Sequence, residues 1–423
     1  MRIAFTTLGC KINQYETDLL RQDLSARGNT IVPFDAEADI YVINTCSVTA
    51  KSDMQCRQTI RAAVRRGAGA AKVVVTGCYA ETRPDEIRNI PGVNLVVGNR
   101  DKSGIADHPL LSGPEAMGRD RDSSQLRAVS GRTRAFLKIQ DGCDNHCSYC
   151  IVPLARGGSR SYAPSAVMRE FDQLVREGCP EIVLTGIHIG TYGADLSERV
   201  NLTDILSELV ARRALARLRL SSIEPREITE GIIRLLGSGI CRHLHVPLQS
   251  GDDTILASMK RNYTASFYRD LLERIVRDVP GIALGADVMV GYPGEGDAEF
   301  KNTMRLVESV PITHLHVFSY SQRPGTAAAS MKEQVPEQIK KERSETLRRL
   351  GKEKNYSFRK TQQGACLSVV VEDKADPNTG MLSGLTDNYI RVLISSAKRD
   401  EIGKKINVRI TDVKKDENLA EHL

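Results

Sequence analysis

Apolar and polar positions fall into blocks along the chain. "RIAFTTL" at the amino terminus is an apolar, β-branched run that reads as a strand. "YETDLLRQDLSARG" follows it with apolar residues at helical spacing and stops at Gly28. "ADIYVINTC", "AKVVVTGC" and "VNLVVGN" are three further strand-like runs, most of them separated by helical patterns. Strands alternating with helices predict a parallel sheet covered by helices, an α/β domain over about residues 1–110.

From about residue 133 to 335 six more strands are expected: "AFLKIQ", "EIVLTG", "RLRLSS", "HLHVPL", "ALGADVMVG" and "HLHVFSY". Amphipathic helical stretches at 164–178, 201–213, 263–278 and 296–310 alternate with them. Six βα units fall short of a closed eightfold barrel. They predict an open, incomplete (β/α)6 TIM-like barrel with its chemistry at the carboxyl ends of the strands. Residues 336–360 read as a connecting helix of mixed charge. Beyond it, "ACLSVVVE", "GMLSGLT", "YIRVLI" and "KKINVRITDV" are short strands separated by Gly, Asn and Asp turns, which predicts a small β-barrel. The domains are placed at 1–125, 129–355 and 358–423.

Composition narrows this picture. A chain of 423 residues suits about three domains. Its 41% hydrophobic and 26% charged residues are ordinary for a globular protein, and no apolar run approaches a membrane span. The first residues lack the basic region, long apolar stretch and cleavage site of a signal peptide. Ten cysteines in such a chain read as metal ligands plus bystanders, not as a disulfide framework, which places the protein in a reducing cytoplasm. The net charge of +6 permits nucleic-acid binding without establishing it.

The cysteines carry the chemistry. "DGCDNHCSYC" at 141–150 holds Cys143, Cys147 and Cys150 in the spacing C-x3-C-x2-C, directly after the first barrel strand. A structural zinc site normally closes with four ligands, and no clear fourth follows Cys150. Three thiolates suit a four-iron, four-sulfur cluster with one iron left open for a substrate or cofactor. Cys10, Cys46 and Cys78 each follow an expected strand of the first domain, with Gly9, Thr45 and Gly77 before them. In a parallel α/β sheet those strand ends share one edge, so the three can converge on a second cluster. Three separate buried thiols are the alternative reading of the residues alone. Cys56 falls within a helical stretch and, with Cys179, Cys241 and Cys366, reads as a bystander.

At this point the chain resembles a known family. C-x3-C-x2-C after a first barrel strand is similar to the radical S-adenosylmethionine enzymes, and Tyr149 matches their aromatic position before the last cysteine. "TTLGCKINQYET", "INTCSVT", "VTGCYAE", "HVPLQSGDDTIL", "DVMVGYPGE" and "FSYSQRPGTAA" resemble the methylthiotransferases over nearly the whole chain. "TLGCKINQYE" is most like the bacterial enzymes acting on threonylcarbamoyladenosine in tRNA. The carboxyl-terminal barrel resembles the TRAM domain that closes most family members. The resemblance implies two 4Fe–4S clusters. One, on Cys143, Cys147 and Cys150, binds S-adenosylmethionine and releases a 5′-deoxyadenosyl radical. The other, on Cys10, Cys46 and Cys78, serves sulfur delivery. It also implies tRNA as partner, an electron donor such as flavodoxin or ferredoxin, and a sulfur source.

Further contacts are carried over from the family. Thr185 and Gly186 after the second barrel strand are placed at the methionine amino group, Ser222 and Glu224 after the third near the ribose, and Gln249 after the fourth facing the cofactor. Arg156 and Arg160 fit a cofactor or substrate role, although Gly157, Gly158 and Ser159 between them depart from the more charged stretch of relatives. Arg57, Arg61 and Arg65 recur every fourth residue and form one helix face, either a solvated stripe or a contact for tRNA phosphates. Residues 356–423 hold eleven basic and ten acidic residues, so charge alone does not mark the small barrel as the RNA surface. Within the family, isopentenyladenosine in tRNA or a ribosomal-protein side chain are the alternative targets. A non-catalytic, zinc-holding RNA-binding protein is the alternative of another class.

Overall fold

The computed structural model describes residues 1–112 and 133–423. The junction expected between 125 and 129 lies outside the described residues. The chain sorts into two compact units. The first joins the amino-terminal region with Gln140–Arg160 and Ser321–Ala329; the second contains Ser161–Tyr320 and Ser330–Leu423, with the strand that precedes Gln140.

The first unit is built on five parallel strands: β1 (Arg2–Thr7), β2 (Thr30–Val32), β3 (Ile40–Thr45), β4 (Lys72–Gly77) and β5 (Leu95–Val97), in the order β2-β1-β3-β4-β5. Every residue of β3 is buried. Ile40 and Val42 pack with Leu20 and Leu24 of helix α1 (Lys11–Ala26), while Tyr41 and Ile43 pack with Cys56 and Ile60 of helix α2 (Ala50–Arg66). Burial on both faces is why the strand reads as an unbroken apolar run. Four of the five strands are those expected from the sequence. The fifth, β2, is a three-residue edge strand, only partly buried, and too short to show a period.

The second unit holds six parallel strands in chain order: β6 (Ala135–Lys138), β7 (Glu181–Thr185), β8 (Arg217–Leu220), β9 (His243–His245), β10 (Ala283–Val290) and β11 (His314–Ser319). They form two three-stranded sheets, β8-β7-β6 and β9-β10-β11, joined by parallel bridges Leu218–Ile240 and Ser222–His245. Helices Pro164–Arg176, Leu202–Arg212, Ala265–Asp278 and Asp297–Ser309 occupy the expected stretches. The helix Glu337–Thr361 leads to a closed five-stranded barrel of β12 (Cys366–Ala375), β13 (Leu382–Thr386), β14 (Arg391–Ile394), β15 (Lys405–Val413) and β16 (Asn418–His422). Leu367, Val369, Val392, Ile394, Val408 and Ile410 fill it. Closure needs β16, which the apolar pattern of "NLAEH" does not announce.

One charged network ties the small barrel to the six-stranded region. Glu181 on β7 is fully buried and accepts from Arg217 at 2.5 Å and from Arg219 at 3.0 Å on β8; Arg134 lies 3.0 Å away. Arg217 also donates to the carbonyls of Ser368 and Leu385, and Arg219 to those of Thr386 and Asp387. "RLRL" therefore has no solvent side: its arginines are as buried as its leucines. Burial alone would raise the Glu181 carboxyl, but the Arg219 and Arg217 guanidiniums overcome it and hold it down to about 2.

Replacing Glu181 by Gln leaves two buried arginines without their counter-charge. The change should cost about 3–5 kcal/mol, read as a lower denaturant midpoint. Because the folded carboxyl titrates below its ordinary 4.5, its stabilisation is complete above that value and is lost as pH falls towards 2. The gap between wild type and E181Q should therefore narrow on acidification through that window. A gap that stays constant would show that the carboxylate does not carry the effect.

Candidate metal centres and cofactor edge

In the first unit the chain brings Cys10, Cys46 and Cys78 to one edge. Cys10 caps the start of α1, Cys46 follows β3 directly, and Cys78 opens a short helix, Cys78–Thr82, directly after β4. Two glycines permit the approach. Gly9 has φ +109°, and a Cβ there would lie 2.8 Å from the Cys46 Cβ and 3.1 Å from its Sγ. Gly77 has φ +102°, and a Cβ would lie 2.4 Å from the Thr45 carbonyl oxygen. No L side chain fits either position. Burial, reinforced by the neighbouring Cys78 and Cys10 sulfurs, pushes the Cys46 thiol up.

Buried amides fix this edge. Asn13 donates to the Leu8 carbonyl at 2.8 Å and to the Thr45 carbonyl at 3.0 Å, tying the Cys10 loop to the end of β3. Asn99 donates to the Cys78 Sγ at 3.5 Å and to the Ala155 carbonyl at 2.7 Å. After Cys46, Ser47 and Asp53 are gripped by the buried Arg323, at 2.9 and 2.5 Å. Cys56 is a buried neighbour whose thiol donates to the Cys46 carbonyl at 3.3 Å. Burial raises it to about 12, so it stays a thiol.

The loop carrying Cys143, Cys147 and Cys150 lies in the same unit. The Cys143 amide donates to the Gly157 carbonyl at 3.1 Å, and the Ser159 amide donates to Asp144 at 3.0 Å. A Cβ on Gly142 would sit 1.9 Å from the Gly158 carbonyl oxygen. Gly157, Gly158 and Ser159, which depart from the expected charged stretch, thus form the surface against which the cysteine loop folds. The Ser148 carbonyl is held by the Ala328 amide at 2.8 Å. Tyr149 is half-buried.

Arg156 needs a correction. Instead of facing a cofactor or substrate, it is 4% exposed and held by protein groups. It donates to Glu16 at 2.8 Å, to Asp141 at 3.1 Å and to the Asn13 Oδ1 at 2.6 Å. Burial opposes its charge, but Glu16 and Asp141 raise its affinity for the proton well above the ordinary value. The residue straps the cysteine loop to α1, beside Cys10. Arg160 stays exposed and donates to the Arg156 carbonyl at 3.1 Å. The arginine stripe on α2 divides as well: Arg57 donates to the Tyr79 hydroxyl at 2.7 Å and faces Glu86, whereas Arg61 and Arg65 are exposed.

In neither trio do all three sulfurs lie within 4.8 Å of one another. Two thiolates on one zinc, with bonds of about 2.3 Å, are at most about 4.6 Å apart. As built, neither trio is gathered as tightly as one such ion requires. In the second unit the residues expected at S-adenosylmethionine share the carboxyl edge of the six strands. Thr185 ends β7 with Gly186 after it, and exposed Ser222 follows β8. Glu224 is paired with Arg261. Gln249 adopts φ +67° and joins β10 through its amide, which donates to the Asp287 carbonyl at 2.8 Å.

Comparison with known proteins agrees with this architecture. Residues 2–98 match the uncharacterized protein family UPF0004, residues 137–307 the radical SAM superfamily, and residues 360–421 the TRAM domain. The fold resembles the radical S-adenosylmethionine methyltransferase TsrM from Kitasatospora setae, with a TM-score of 0.59, 17% identity, and coverage of 78% of this chain and 74% of that one. The chain is thus a radical SAM enzyme by fold and sequence. It is 41% identical to the threonylcarbamoyladenosine tRNA methylthiotransferase MtaB of Bacillus subtilis, over 96% of this chain and 93% of the relative. It is 36% identical to the MtaB of Aquifex aeolicus, over 97% and 100%. A tRNA-2-methylthio-N(6)-dimethylallyladenosine synthase of Natranaerobius thermophilus is 31% identical, over 96% and 93%. The chain belongs to the radical SAM tRNA methylthiotransferases, which overturns the reading as a non-catalytic zinc-holding protein. No helix among the described residues is long and apolar enough to cross a membrane.

Arg156→Met removes the counter-charge of Glu16 and Asp141 while keeping much of the volume. It should destabilise the protein by about 3 kcal/mol, the low end for a broken buried pair because both carboxylates keep some solvent access. Arg156→Lys, which retains charge but loses the planar fork, should recover part of this. Equal denaturant midpoints for R156M and wild type would refute the strap.

Proposed function

We propose that this enzyme methylthiolates N6-threonylcarbamoyladenosine next to the anticodon of tRNA, giving the 2-methylthio derivative. The observation that carries this reading is the gathering of two cysteine trios in one compact unit, strapped together by Asn99 and Arg156. The base is favoured over the dimethylallyl one by the ranking of relatives: 41% and 36% identity to enzymes named for threonylcarbamoyladenosine, against 31% for a dimethylallyladenosine synthase.

Cys143, Cys147 and Cys150 are the ligands for one 4Fe–4S cluster, and Cys10, Cys46 and Cys78 for a second. When bound, the first would supply the electron that splits S-adenosylmethionine into methionine and a 5′-deoxyadenosyl radical, and the second would supply the sulfur. The protein's part is positional. Gly9 and Gly77 let the strand ends close up, Asn13 holds the Cys10 loop, and Asn99 reaches from the Cys78 sulfur to the helix after Cys150. Positioning of this kind is what a reaction between bound partners requires. Thr185, Gly186, Ser222, Glu224 and Gln249, with Tyr149, are assigned to S-adenosylmethionine. A low-potential donor such as flavodoxin or ferredoxin and a separate sulfur source complete the cycle. Arg61 and Arg65 are assigned to tRNA phosphates.

A strain lacking the gene should lose the methylthio form of threonylcarbamoyladenosine and accumulate its precursor, measured by mass spectrometry of tRNA nucleosides. Loss of the dimethylallyl product instead would move the assignment to that base. Replacing Cys10, Cys46 and Cys78 together by Ala should remove about half the iron. The variant should still form 5′-deoxyadenosine under strong reductant, yet make no methylthio product. Full iron and full methylthiolation in it would sink the two-cluster reading. Replacing Arg61 and Arg65 by Gln should lower the log–log salt slope of tRNA binding by roughly two, and an unchanged slope would return both to a solvated face.

A further inference from the structure

A group of side chains of metal-binding type that includes no cysteine stands in the six-stranded region. His245 on β9, Asp287 on β10 and His316 on β11 lie on adjacent parallel strands. The register pairs Asp287 with His316 and His245 with Gly285, two residues before Asp287 on the same face. Gly285 makes room for the ring: a Cβ there would meet the His245 Nδ1 at 2.5 Å. The His245 Nε2 is 2.9 Å from the Asp287 Oδ1, and the His316 Nδ1 is 3.3 Å from the same oxygen. The two imidazoles stack with centroids 5.1 Å apart. Among the described residues, this is the trio of His, Cys, Asp or Glu whose ligand atoms all fall within 4.8 Å.

The surroundings are those of a built site open on one side. Strand pairing fixes the three backbones. Tyr389, from the turn between β13 and β14, stacks on His243 at 4.0 Å and meets His314 edge-on, closing the neighbouring layer. The His245 and Asp287 side chains are 12% and 24% exposed, and His316 is 60% exposed. Bonds of about 2.0–2.2 Å from nitrogen and oxygen to a divalent ion give ligand edges of about 3.0–3.5 Å. The two observed edges are close to that range. Two imidazoles and one carboxylate with a free side are a donor set for zinc or ferrous iron that keeps water in the open position.

We propose that His245, Asp287 and His316 form a mononuclear site for a divalent transition-metal ion, distinct from both cysteine trios. The rival is a purely hydrogen-bonded triad in which Asp287 accepts from both rings and no ion enters.

The test uses the full chain with its iron loaded, so that the cysteines are occupied. The protein is incubated with zinc chloride, dialysed against metal-free buffer, and its zinc and iron counted per chain by plasma mass spectrometry. Wild type should retain one zinc more than His316→Ala, a change at an exposed position, and more than Asp287→Asn, which keeps the shape of the carboxylate. Iron should be equal in all three. Calorimetric titration with zinc should show a single site weakened at least tenfold in both variants. Equal zinc in all three proteins would place the ion on other groups and overturn the proposal. No retained zinc in wild type would establish the hydrogen-bonded triad.

Discussion

The Arg156 guanidinium is a charge that the fold has to compensate, and the arrangement of the first unit follows from how it does so. Taking such a cation out of water costs several kcal/mol unless partners surround it. Here they come from α1 and from the turn before the cysteine loop: Glu16, Asn13 and Asp141. Their side chains converge only when α1 and the loop of residues 143–150 are both in place. Asn13 carries the constraint further, because its amide also binds the carbonyls of Leu8 and Thr45, which flank Cys10 and Cys46. One buried cation thereby couples the position of one cysteine trio to the other.

The second unit uses a similar device for another end. Glu181 collects Arg217 and Arg219, and these carry their remaining donors to the main chain of the small barrel. Burying one carboxylate with two guanidiniums leaves an excess of positive charge, which the carbonyl oxygens of residues 368 and 385–387 help to neutralise. Strongly perturbed ionisable groups cluster at functional sites, but structural ion-pair networks perturb them as well. These instead serve attachment, since every donor named is accounted for by a protein acceptor.

Much of this was legible in the sequence, and the limits have a physical cause. The trio at 143–150 is local, so its spacing alone announces it. Cys10, Cys46 and Cys78 are far apart in sequence, but each follows an apolar run, and a parallel sheet has a known edge where such ends meet. The glycines before two of them carried the same message. The strap made by Arg156 was not legible because two of its three acceptors, Glu16 and Asn13, are 140 and 143 residues away, where no periodicity can reach. Arg323 has partners 270 and 276 residues away. In "RLRL" the strand was legible but the burial of its arginines was not, because their acceptors are Glu181, 36 and 38 residues away, and carbonyls near the end of the chain. The strands β2 and β16 escaped for a simpler reason, being too short or too polar to pattern.

The way Arg217 and Arg219 hold the small barrel has an evolutionary consequence. Their contacts there are to backbone carbonyls of Ser368, Leu385, Thr386 and Asp387. A carbonyl is present whatever side chain its residue carries. These contacts are therefore blind to side-chain identity at residues 368, 385 and 386, which mutation can repopulate without releasing them, whereas Asp387 also pairs through its carboxylate with Arg242 at 2.7 Å. A module fastened in this manner can acquire a new outward surface while its seating on the enzyme is inherited unchanged.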